Sequence, residues 1–215
     1  MTLSIDTSTA VCSVALHEKQ KLLACSEILL DKSHSGSLTL LIEDLLKNTG
    51  NSFANLTEIA VSKGPGSYTG LRIGVSTAKG LCVALDLPLL SVGTLESMAF
   101  SMIPFFSAKT LFCPMIDARR MEVFMAIFDH ELNKIQEIQA LVLNENTFAN
   151  LLEHYQIVFF GNGSEKLQKI LVHQNAFFVN DIYPSAKYIG CLADASKMVD
   201  VAYFEPFYLK EFMFK

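Results

Sequence analysis

The 215-residue chain contains no C-x-x-C pair, and its five cysteines, Cys12, Cys25, Cys82, Cys113 and Cys191, are widely spaced. That spacing speaks against a zinc site and a disulfide framework, and it predicts buried thiols in a reducing compartment. No two of its histidines, His17, His34, His130, His154 and His173, stand four residues apart, the spacing that sets two rings on one helix face to grip a metal. A G-x-S-x-G elbow is missing too, which leaves a hydrolase triad without a nucleophile. Nor is there a surplus of positive charge: 17 Lys and Arg face 22 Asp and Glu, for a net charge of −5, and Arg119-Arg120 is the only adjacent arginine pair. Gripping a nucleic acid unaided relies on neutralising phosphates, which this balance disfavours. The longest candidate for a membrane span, Met98 to Phe106, contains Pro104 and falls far short of the roughly 20 residues that a bilayer requires. No charged segment precedes an apolar one at Met1-Thr2-Leu3, so the expectation is a cytoplasmic protein with no secretory signal and no membrane partner.

What the chain does have is apolar bulk and a pattern that occurs twice. Hydrophobic residues make up 51% of it and mean hydropathy is +0.33, which predicts that some apolar surface meets a partner. Residues 3–8, 11–17 and 21–29 read as strands, and Leu38, Leu41, Ile42, Leu45 and Leu46 then fall on one helix face. A strand at 58–62, a helix over about 68–86 and a strand at 88–92 complete the first unit. Strands at 111–116, 121–128 and 134–143, a helix at 145–154, a strand at 157–160 and a helix from Ser164 form the second. Two βββαβα units with parallel crossovers predict two α/β domains, divided near 98–110.

The densest segment is Gly64-Pro65-Gly66-Ser67-Tyr68-Thr69-Gly70-Leu71-Arg72-Ile73-Gly74, which joins a strand to a helix. A helix start of this kind can cradle phosphate, but the spacing matches neither a Walker A loop nor a G-x-G-x-x-G fingerprint, and Pro65 removes an N–H. Ser67 fits as the N-cap. Gly70, Gly74 and Ala78 recur every four residues and leave one stripe nearly bare. A backbone can approach there, either from the chain's own sheet or from a second subunit.

Read with Ile5-Asp6-Thr7-Ser8, this segment resembles the TsaB (YeaZ) family, the bacterial partner proteins in making threonylcarbamoyladenosine at position 37 of tRNAs that read codons beginning with A. The family pattern here comprises Asp6, Thr7, Ser8, Gly64, Pro65, Gly66, Ser67, Tyr68, Thr69 and Arg72. Further matching pieces are His34-Ser35, Thr77 to Leu81, Asp117-Ala118-Arg119-Arg120 with Glu122-Val123, Gly161-Asn162-Gly163, Tyr183 to Ala186 and Pro206 to Lys210.

The resemblance implies an α/β, two-lobed actin/Hsp70/sugar-kinase-like (ribonuclease-H-like) fold, with an N-terminal lobe at 1–102 that carries partner-binding helices and a C-terminal lobe at 103–215. It implies a non-catalytic scaffold that binds a TsaD-type transferase with a TsaE-type ATPase, forms a homodimer when alone, and meets tRNA only through the complex. It places the partner interface on Leu38, Leu41, Leu45, Gly70, Leu71, Gly74, Ala78 and Cys82, and it expects no catalytic, metal or cofactor residues. The superfamily's phosphate turns would be Asp6-Thr7-Ser8-Thr9 and Asp117-Ala118-Arg119-Arg120, where the two aspartates either share a metal or cap their own turns. The competing readings are a nucleotide-dependent ATPase or kinase of the same superfamily, tested by nucleotide binding, and a metallopeptidase, tested by metal content.

Overall fold

The computed structural model describes residues 1–29 and 36–210, so His34 and Ser35 lie outside the described residues. The first unit comprises residues 1–97 and 184–208, and the second residues 98–183 together with the chain from Leu209. The return of 184–208 to the first unit departs from the expected 103–215 lobe, because that segment carries structure the first sheet requires.

The first sheet is built from β1 (Thr2–Asp6), β2 (Val11–Glu18), β3 (Lys21–Leu29), β4 (Glu58–Ser62) and β5 (Leu89–Val92), with β11 (Met198–Val199) at its edge. Its order is β11-β5-β4-β1-β2-β3, antiparallel through β1, β2 and β3 and parallel through β1, β4 and β5. Between these strands run α1 (Leu38–Asn48) and α2 (Tyr68–Leu85), and α3 (Thr94–Met102) follows β5. The second sheet repeats the plan with β6 (Thr110–Asp117), β7 (Glu122–Phe128), β8 (Lys134–Val142), β9 (Gln156–Phe160) and β10 (Ala176–Val179), in the order β10-β9-β6-β7-β8. Here α4 (Ala149–Leu152) and α5 (Ser164–Gln168) are short, and α6 (Ala186–Leu192) belongs to the first unit. The expected helix at 145–154 shrinks to Ala149–Leu152 because the Asn144 side chain accepts from Asn146 N–H and Thr147 Oγ1 accepts from Asn144 N–H. Side chains that satisfy local backbone groups compete with a helical turn.

Burial explains the first unit's order. Leu3 and Ile5 of β1 join the apolar face of α1 and Val75, Ala78 and Cys82 of α2 in one core. The opposite face of the sheet, at Ala60, Leu90 and Val92, is covered by Ile189, Leu192 and Ala193 on and after α6. With a helix layer on each side, β1 is buried from end to end, as parallel sheets require. The seating of α6 is specific: Ser185 caps it by accepting from Lys187 N–H at 3.1 Å, Ser185 Oγ donates to Glu27, and Ser13 Oγ accepts from Ala186 N–H at 2.9 Å. Gly190 lies over His17, and a Cβ there would stand 2.5 Å from Ser4 Oγ, so α6 can approach β1 and β2 this closely only through glycine.

Candidate functional site

The 64–74 segment closes on the turn that follows β1. Asp6 Oδ1 accepts from Ser8 N–H at 2.9 Å and from Ser8 Oγ at 2.8 Å, which ends β1 at Asp6 rather than at the expected residue 8. Ser67 N–H donates to Ser8 O at 2.7 Å, and Thr7 Oγ1 donates to Gly70 O at 2.7 Å. A side chain on Gly66 would meet the Ser8 carbonyl and stand 2.8 Å from Ser8 Cβ, one on Gly70 would meet the Thr7 carbonyl, and one on Gly74 would meet Thr7 Oγ1. Gly64, at φ +106°, directs the loop so that its carbonyl accepts from Thr94 N–H at 3.1 Å. Ser67 is the N-cap of α2, accepting from Gly70 N–H at 3.3 Å. The glycines therefore admit the Thr7–Ser8 backbone.

A C-terminal strap completes the clasp. Lys79 Nζ donates to the carbonyls of Ala202 and Phe204 at 3.1 and 3.0 Å, and Phe207 N–H donates to Lys63 O at 2.7 Å. Tyr208 reaches Tyr68 with ring centroids 4.8 Å apart, and the Arg72 guanidinium sits 4.6 Å above the Tyr68 ring. Family-pattern residues from both ends of the chain meet at this point. Between α2 and the strap is a shallow recess of about 180 Å³ lined by residues that include Arg72, Lys79, Glu205 and Tyr208.

Asp6 is fully buried, and burial lifts its carboxyl from 3.8 to about 6 against the pull of the two Ser8 hydrogen bonds. It caps its own turn, and so does Asp117, whose Oδ1 accepts from Arg119 N–H at 2.5 Å. The second unit repeats the glycine contact as well. A side chain on Gly161 would meet the Met115 carbonyl, and one on Gly163 would stand 2.9 Å from the Ile116 carbonyl carbon and 3.1 Å from Asp117 N. Asn162 Oδ1 accepts from Asp117 N–H at 3.0 Å, and Gly163 N–H donates to Met115 O at 3.0 Å. The Asp117–Arg120 turn itself stays exposed. Among the described residues, no group of three or more His, Cys, Asp or Glu converges as a metal site would.

The expected interface residues point inward. Leu38, Leu41, Leu45, Ala78 and Cys82 lie in the core between α1, α2 and the first sheet, Leu71 is buried with them, and Gly70 and Gly74 press on Thr7. The bare stripe thus serves the chain's own turn and sheet, since a partner cannot touch atoms that the monomer already covers. The outward faces of the same helices carry Leu40, 61% exposed, with Thr39, Glu43 and Asp44 on α1, and Val83, 75% exposed, with Ser76, Gly80 and Ala84 on α2. A side chain on Gly80 would meet nothing within 4 Å. Leu40 and Val83 could have been found as apolar residues lying off the periodic faces of their helices.

The sequence matches the family model for TsaD, tRNA N6-adenosine threonylcarbamoyltransferase, over residues 28–203. A curated relative, the tRNA threonylcarbamoyladenosine biosynthesis protein TsaB of Escherichia coli, is 36% identical over 66% of this chain and 62% of its own length. Among solved structures, YeaZ from Pseudomonas aeruginosa superposes with a TM-score of 0.81 at 26% identity, covering 97% of this chain and 99% of that one. The chain belongs to the TsaB (YeaZ) family. It spans about six tenths of the length of the E. coli relative and of its Bacillus subtilis counterpart. At the level of fold alone, the ADPNP-bound activator of 2-hydroxyisocaproyl-CoA dehydratase from Clostridium difficile matches with a TM-score of 0.51 at 8% identity, over 89% of this chain and 92% of that one. This TsaB-family chain accordingly has the two-lobed α/β fold of the actin, Hsp70 and sugar-kinase type. The family's glycine-rich segment is here the clasp on Thr7 and Ser8.

Proposed function

We propose that the chain is a non-catalytic subunit required for forming N6-threonylcarbamoyladenosine in tRNA, binding a TsaD-type transferase with a TsaE-type ATPase in the cytoplasm. The observation that supports this reading is the clasp: the turn after β1, where the resemblance places the superfamily's first phosphate contact, is packed against Gly66, Gly70 and Gly74. The relatives' names supply the pathway. Partner contact falls on the outward faces of α1 and α2, where Leu40 and Val83 stand exposed and Gly80 lets another backbone come close. The same faces join two copies when no partner is present. The acidic chain meets tRNA within the complex, where other subunits supply most of the positive charge.

Reconstitution tests the reading. With TsaD- and TsaE-type proteins, ATP, threonylcarbamoyl adenylate as the activated donor and an unmodified tRNA, the modified nucleoside should appear by mass spectrometry only when this chain is included. The isolated chain should give no ATP-binding heat by calorimetry. Micromolar ATP binding with turnover that disappears on Asp6→Ala would make the chain an enzyme in its own right.

A further inference from the structure

The β6–β7 hairpin is the second unit's counterpart of the clasped turn after β1, built on the same aspartate-to-backbone bond two residues on. In the first unit the residues beyond that aspartate are buried and small, Thr7, Ser8 and Thr9. In the second they end in Arg119 and Arg120, both exposed and both left-handed, at φ +71° and +49°. Glycine or asparagine occupies that region with less strain. Neither guanidinium hydrogen-bonds or ion-pairs with another described residue.

The base of the hairpin is tied down. Lys166 Nζ donates to Asp117 Oδ1 at 2.7 Å and to Glu122 O at 2.9 Å, and Lys210 pairs with the Glu122 carboxylate. Asn162 holds Asp117 N–H. Both carboxylates of the hairpin are thereby paired, on a chain whose net charge is −5. The tip presents two guanidinium forks, unpaired among the described residues, on an anchored frame.

We propose that the Arg119–Arg120 tip contacts backbone phosphates of the tRNA held by the assembled complex, an inference that rests on the proposed role in tRNA modification. Guanidinium forks bind phosphate bidentately, and an anchored hairpin loses little freedom on binding. An arginine that anchors a protein interface sits in a desolvated, well-packed pocket. Here the adjoining apolar side chain is Met121, itself 41% exposed, and this open, charged setting favours phosphate over an acidic protein surface. Two arginines supply a share of the affinity and leave the rest to the partners.

The test uses the full complex with an unmodified tRNA transcript as probe, its affinity measured against salt concentration. Two double variants separate charge from fold: Arg119→Asn with Arg120→Gly removes both forks and relaxes the backbone, while Arg119→Lys with Arg120→Lys keeps the charge. The Asn/Gly variant should melt no lower than the parent and assemble normally with the partners by light scattering. Its tRNA affinity should fall about tenfold, and the slope of log affinity on log salt should flatten by about 1 to 2, with the Lys pair restoring the slope. Unchanged affinity and slope in the Asn/Gly variant would overturn the proposal. So would loss of assembly before tRNA is added, which would assign the tip to an acidic protein surface. A wild-type complex that forms no modified nucleoside would refute the proposed function itself, and the hairpin reading with it.

Discussion

Asp6 carries a cost that the fold accepts in order to hold the turn after β1. Its carboxyl is fully buried and titrates near 6 instead of 3.8, so the folded chain holds a proton there that the unfolded chain has already released. Stability from this group is complete below about pH 4 and declines as pH rises towards 6, by about 3 kcal/mol for the whole displacement. Asp6→Asn keeps an oxygen for the Ser8 N–H and removes the titration. Urea unfolding from pH 4 to 7 should therefore show the parent losing about 2–3 kcal/mol relative to the variant. A gap that does not vary with pH would mean that Asp6 titrates as an exposed carboxylate does. At Gly70 the constraint is steric: Gly70→Ala sets a methyl against the Thr7 carbonyl and should cost about 3 kcal/mol. Gly74→Glu adds a buried charge to the clash and should collapse the melting temperature rather than only weaken association.

At the scale of elements, α1 and α2 each divide into a face that builds the monomer and a face free for a partner. Leu41→Ala, on the inner face of α1, should cost about 2–5 kcal/mol by leaving a cavity in the core. Val83→Glu and Leu40→Glu, on the outer faces, should leave the melting temperature within a few degrees of the parent. These two variants should weaken binding to the TsaD-type partner in light scattering. If they bind it as the parent does, the interface lies elsewhere. The inner face of α1 and the start of α2 were legible in the periodicity of Leu38 to Leu46 and in the Ser67 cap, because local pattern and final packing agree there. The inward direction of the Gly70 stripe was not legible. A bare stripe permits close approach by any backbone, and only the position of Thr7 decides which one arrives.

For the molecule as a whole, the high apolar content has an internal explanation. The first sheet is covered on both faces and the second unit has its own core, so much of the 51% is buried within one copy. On the outer faces of α1 and α2 the exposed large apolar side chains are Leu40 and Val83, which predicts an association that depends on concentration. The isolated chain should dimerise through the outer faces of α1 and α2, and an added TsaD-type partner of the same fold should displace one copy. Light scattering during the titration should show the homodimer giving way to a mixed pair. A complex in which two copies stay joined through these faces while the partner binds elsewhere would defeat the competition.

Sequence alone determined the duplicated strand and helix order, the absence of metal and nucleophile spacings, and the family, because periodicity, capping and short motifs are encoded within a few neighbouring residues. Tertiary structure decided that 184–208 completes the first unit, that the glycine-rich segment grips Thr7 and Ser8, and that Arg119 and Arg120 stand unpartnered among the described residues while Asp117 and Glu122 are paired. Each of these depends on residues tens to more than a hundred positions apart, whose meeting is set by sheet order and burial and leaves no mark in local pattern.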